Sequence, residues 1–73
     1  MRRPLTAEEG KVLNVLLSGP RRLGDVAARV GKNAWVTLRS MELCEPSLVA
    51  AERADDDEVW SVTNVGLEAL GRR

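Results

Sequence analysis

The side chains able to do chemistry in this 73-residue chain are hydrogen-bond donors and carboxylates, because little else is present. There is no His, no Tyr and no Phe, and Cys44 is the single cysteine. This removes His-based acid and base catalysis, zinc and iron–sulfur ligation, and any disulfide within the chain. No nucleophile stands beside a base and no phosphate loop is present, so an enzyme, a metal and a cofactor are all unexpected. What remains falls into two groups. Arg21, Arg22, Arg29, Lys32, Asn33, Arg39 and Ser40 offer donors, whereas Asp55, Asp56, Asp57 and Glu58 place four carboxylates in a row. The acidic run reads as a solvated loop that discourages association at a sheet edge, or as a docking point for a basic partner. It lacks the Gly and the distal Glu of a calcium loop.

The 11 bases and 11 acids balance to zero net charge, but they are not evenly spread. Residues 1–32 carry seven bases and three acids, residues 33–58 two bases and seven acids, and residues 59–73 two bases and one acid. The molecule is therefore electrically polarised along its sequence. With 44% apolar and 30% charged residues it can build a core, and its length suits one domain. The apolar run from Val12 to Leu17 is too short to cross a bilayer and is interrupted by Asn14, and the Met-Arg-Arg-Pro start leads into Glu8 and Glu9 rather than an apolar signal core. The expectation is a soluble cytoplasmic domain with no membrane partner.

The elements that must position these groups follow from caps and periodicity. Thr6 with Glu9 three residues later forms a capping box, which starts a helix running to about Leu17 before Ser18-Gly19-Pro20. Leu5, Val12, Leu13, Val15, Leu16 and Leu17 go nearly all the way round it, so it is central or faces a second partner. Leu23, Val26, Ala27 and Val30 make the apolar stripe of a second helix, which Gly31 ends with a positive φ. Asn33 caps a third helix reaching about Cys44, ahead of Pro46, with Ala34, Trp35, Leu38 and Met41 on its buried side. At about 100° per residue, Lys32, Asn33, Val36, Arg39 and Ser40 project the other way, and Glu42 lies nearer the buried edge. Leu48 to Arg53 and Glu58 to Val62 are β-compatible runs joined by a loop of four or five residues across the acidic stretch. Thr63 or Asn64 caps a last short helix, closed by Gly71.

This order, helix, helix, helix, strand, strand, helix, resembles the winged helix-turn-helix domain of small bacterial and phage DNA-binding regulators. Two stretches carry the resemblance, which covers nearly the whole chain. Leu23-Gly24-Asp25-Val26-Ala27-Ala28-Arg29-Val30-Gly31 is similar to the first helix of the family's pair. Val59-Trp60-Ser61-Val62-Thr63-Asn64-Val65-Gly66-Leu67-Glu68-Ala69-Leu70 is similar to its wing-strand ending and the helix that follows. The fold class so implied is mainly α with a small β-hairpin: three helices, a two-stranded wing and a short C-terminal helix, all in one domain over residues 1–73.

The resemblance implies a partner, double-stranded DNA, with the third helix around residues 33–44 in the major groove. Lys32, Asn33, Arg39 and Ser40 are then the candidates for base edges, and Arg21, Arg22 and Arg29 for phosphates near the start of the second helix. It implies a transcriptional regulator or a phage-type architectural factor that binds as a homodimer or cooperatively on DNA. An acidic wing tip is repelled by phosphates, so Asp55 to Glu58 must point away from DNA, stop short of it or be covered by a partner. The alternative is a winged-helix module that binds a basic or regulatory protein through Asp55, Asp56, Asp57 and Glu58. Trp35 and Trp60 are both expected in the core, Cys44 as a small buried hydrophobe, and Arg2, Arg3, Arg72 and Arg73 as mobile basic ends.

Overall fold

Four helices and a three-stranded antiparallel sheet make a small α+β domain, described by the computed structural model over residues 5–71. In chain order these are α1 (Ala7–Leu16), β1 (Arg21–Arg22), α2 (Leu23–Val30), α3 (Ala34–Glu42), β2 (Val49–Ala54), β3 (Asp57–Val62) and α4 (Asn64–Ala69). The basic ends lie outside the described residues.

Helix α1 starts where the capping box requires. The Thr6 hydroxyl accepts from Glu9 N at 3.1 Å and Glu9 Oε1 accepts from Thr6 N at 3.0 Å, which satisfies two donors that the first turn leaves open. Val12, Leu13 and Leu16 are buried and α1 packs on α2, α3 and β3. Helix α1 is thus the central helix of the domain, and its exposed positions include the polar Lys11 and Asn14. Val26 from α2, Ala34, Leu38 and Met41 from α3, and Leu48, Val49 and Trp60 complete the core. Trp60 has no exposed surface, and its side chain anchors the hairpin to the helices.

The sheet order is β1-β3-β2. Strand β1 corrects the expectation of a two-stranded wing by adding a third strand: Arg21 pairs with Trp60 and Arg22 with Val59. A two-residue strand is shorter than any alternating pattern, and it forms because the outer edge of β3 has backbone groups to satisfy. The hairpin connection is also tighter than expected. Ala54 pairs with Asp57, leaving Asp55-Asp56 as a two-residue turn in which Asp55 adopts φ 55°, a conformation Asp tolerates better than most residues.

At the entrance to α3, Asn33 occupies the cap position but its side chain makes no capping hydrogen bond, contrary to expectation. At φ −87° and ψ 4° it is already close to helical geometry, and its carbonyl accepts from Thr37 N and Thr37 Oγ1, both at 3.0 Å. Trp35 is also not core. Ala34, Leu38 and Met41 follow the i, i+4, i+7 spacing of one buried face, and Trp35, about 100° further round, is 47% exposed. Cys44 is half-buried rather than enclosed, and its Sγ donates to Ser40 O at 3.4 Å.

Gly31, at φ 118°, ends α2, and Gly31 O accepts from Ala34 N at 3.1 Å to close the turn into α3. Beyond α3, Ser47 Oγ donates to Glu42 O at 2.7 Å. Thr63 then holds α4 in two ways: its Oγ1 donates to Ser47 O at 2.7 Å and accepts from Gly66 N at 3.1 Å. Gly66 allows the close approach of α4, because a Cβ there would press on the Leu48 carbonyl oxygen and come within 2.7 Å of Val62 Cγ2 unless α4 shifted.

Candidate nucleic-acid interface

Lys32, Asn33 and Ser40 are all exposed, and Arg39 is half-exposed at the C-terminal end of α3. The first turn of α3 carries no acid. The surface of α3 and the turn before it therefore combines an ammonium, an amide, a guanidinium and a hydroxyl, the donor types that meet purine N7 and O6 or phosphate oxygens.

Arg39 is not unpartnered. Its Nη1 donates to Glu42 Oε1 at 2.8 Å, and the same carboxylate oxygen lies 3.6 Å from Arg53 Nη2 on β2. Arg53 in turn donates from Nε to Glu58 Oε2 at 3.0 Å, and its guanidinium lies 5.8 Å from the centre of the Trp60 ring. Trp60 Nε1 donates to Glu58 Oε1 at 3.2 Å. A chain of charges thus ties the end of α3 to the helix-facing side of the hairpin. The hydrogen bond to Glu58 holds the Arg53 guanidinium above its ordinary range, helped by attraction to Glu58 and Glu42 and opposed by partial desolvation. A surface pair such as Arg39–Glu42 is worth about 0–1 kcal/mol, against roughly 1–3 kcal/mol for a bidentate contact to a base. Glu42 therefore orients Arg39 without locking it.

The three other candidate cations separate. Arg22 faces the acidic end of β3, with Nε 3.3 Å from Asp57 Oδ2. Arg21 projects to the opposite side of β1, where Nη2 donates to Ser18 Oγ at 2.9 Å. There it lines an open groove of about 300 Å³ together with Asn14, Val15, Ser18 and Arg29. Arg21 and Arg29 are thus brought together, while Arg22 is drawn to the hairpin.

The acidic stretch also divides. Asp55 and Asp56 are exposed at the turn, Asp57 engages Arg22, and Glu58 is held by Arg53 and Trp60. Sequence reasoning missed Arg53 because its significance comes from strand register: Arg53 pairs with Glu58 and sits two residues from Ala51, the partner of Trp60, so it shares the Trp60 face. It also missed the exposure of Trp35 and Leu43; the latter follows Glu42 immediately after the helix ends and is 67% exposed.

No protein-family model matches the chain, and no curated protein matches it. Among solved structures it is similar to the M. tuberculosis protein Rv0081, with a TM-score of 0.69 and 23% identity over 89% of this chain and 67% of that one. At that identity the likeness concerns the fold.

Proposed function

We propose that the domain is a winged helix-turn-helix DNA-binding module, acting as a small transcriptional regulator or architectural factor with α3 in the major groove. The observation that carries this reading is the outward face of α3 and the turn before it: Lys32, Asn33 and Ser40 exposed and Arg39 half-exposed, with no acid in the first turn. The element order and the preceding helix α2 suit the pair of helices that such domains insert and brace. Arg29 and Lys32 flank the turn into α3, and Arg21 beside Arg29 supplies further positive charge for the phosphates.

Because so few cations are available, about three to five phosphates are neutralised and a single copy binds weakly. Two copies on adjacent half-sites, as a homodimer or cooperatively, supply the remaining affinity. Because the exposed Asp55 and Asp56 are repelled by phosphates, this reading requires the hairpin turn to point away from DNA, stop short of it or be covered by a partner.

The exposed Asp55 and Asp56 favour the second reading, a module that takes a basic or regulatory protein on its acidic hairpin. Amide chemical-shift mapping on adding a mixed-sequence duplex separates the two. Shifts concentrated at residues 29–40, with residues 55–58 silent, support DNA reading by α3; a spectrum unchanged up to millimolar duplex at low salt rejects it.

A further inference from the structure

We propose that Val36 reads the 5-methyl group of a thymine, so that A·T pairs belong to the preferred sequence; this rests on the DNA reading of α3. The large apolar side chains most exposed among the described residues are Trp35, Val36 and Leu43, all on α3 or its C-cap, with Val36 at 62%. Residues three and four positions apart are neighbours on a helix surface. For Val36 these are Arg39 and Ser40 on the helix and Asn33 at its N-cap, with Lys32 in the turn just before, every one a donor and none a carboxylate.

A helix that docks in a protein groove presents apolar residues in series at i, i+3, i+4 and i+7. Starting at Val36, that series is Val36, Arg39, Ser40 and Leu43, broken at its centre by a cation and a hydroxyl. What this face offers is a branched side chain bordered by donors, with Leu43 beyond the break and Trp35 about 100° round the helix. The major-groove edge of an A·T pair is its complement, with the N7 acceptor and N6 amino group of adenine beside the thymine methyl. Asn33 and Val36 are separated by about 4.5 Å along the helix axis, close to the roughly 3.4 Å between stacked bases. An amide on adenine and a methyl contact to the thymine of the same or the next pair therefore fit one approach of the helix.

The test begins with selection of preferred duplexes from a random library by the full chain. The best sequence is then synthesised twice, with thymine and with deoxyuridine at the same positions, and titrated by fluorescence anisotropy. The wild-type chain is expected to bind the deoxyuridine duplex about fourfold more weakly, the value of roughly one buried methyl group. Val36→Ala is expected to bind both duplexes equally, and Val36→Thr, which keeps one methyl, to retain part of the difference. Equal wild-type affinity for the two duplexes overturns the assignment and leaves the exposed apolar groups of α3 for a protein partner. A difference that persists in Val36→Ala overturns it too, since another residue then reads the methyl. Binding to duplex at low salt without enrichment of any sequence overturns the assignment as well, whereas no binding to any duplex is a distinct result that rejects the DNA reading of α3 itself.

Discussion

At the scale of single residues, Glu42 has the largest predicted influence on binding without being a contact itself. Its Oε1 lies 2.8 Å from Arg39 and 3.6 Å from Arg53, so one carboxylate draws two guanidinium groups towards the protein. Glu42→Gln removes that attraction while keeping the shape. The expected outcome is severalfold tighter binding to mixed-sequence DNA at low salt and a salt dependence steeper by about one phosphate, measured by anisotropy across a salt series. An unchanged slope means that neither arginine reaches the backbone. Gly66 and Trp60 govern stability instead. Gly66→Ala forces a Cβ against the Leu48 carbonyl and Val62, and Trp60→Ala empties the centre of the core. Trp60→Ala is predicted to cost about 3–5 kcal/mol, enough to leave so small a domain largely unfolded at 25 °C by circular dichroism. Gly66→Ala is expected to lower the thermal midpoint without abolishing folding, through displacement of α4.

At the scale of elements, the capping box offers a calibrated check. Thr6→Ala is predicted to destabilise the domain by about 1 kcal/mol in urea unfolding, because Glu9 N loses its acceptor; an effect near zero means α1 starts elsewhere. Helices were legible in the sequence where a local signal marks an end: Thr6 and Glu9 the start of α1, Gly31 the end of α2, Thr63 and Gly71 the two ends of α4. The hairpin was legible from its two β-compatible runs. Features created by pairing between distant segments were not. Strand β1 exists because Arg21 and Arg22 meet Trp60 and Val59 across almost forty residues of chain, and two residues carry no periodicity. The Glu42–Arg53 contact likewise depends on how β2 lies beside α3. Trp35 shows the limit of a face read from spacing alone. One step round the helix from Ala34 is enough to move it from core to surface, and its bulk gave the opposite expectation. The outward set Lys32, Asn33, Arg39 and Ser40 was legible because it lies opposite a well-marked apolar stripe. Its coupling to Glu42 and Arg53 was not.

At the scale of the whole molecule, zero net charge makes the placement of charge decisive. Cations gather around the turn into α3 and along β1, while Asp55 and Asp56 stand exposed at the hairpin turn. Asp56→Lys changes the charge of that turn by two without touching the core. If the turn stands clear of the phosphates, as the account requires, low-salt DNA affinity rises by less than about threefold, a change set by screened long-range attraction alone. A much larger gain places the turn against the duplex. The central claim, that α3 carries DNA binding, is tested most directly by anisotropy of a labelled mixed-sequence duplex at low and near-physiological salt, comparing the wild-type chain with the Asn33→Ala, Arg39→Ala double variant. The account predicts binding that weakens with salt according to about three to five phosphates, and a further loss in the double variant at unchanged thermal stability. No binding by the folded wild-type chain at any salt, or binding that the double variant leaves intact, contradicts it.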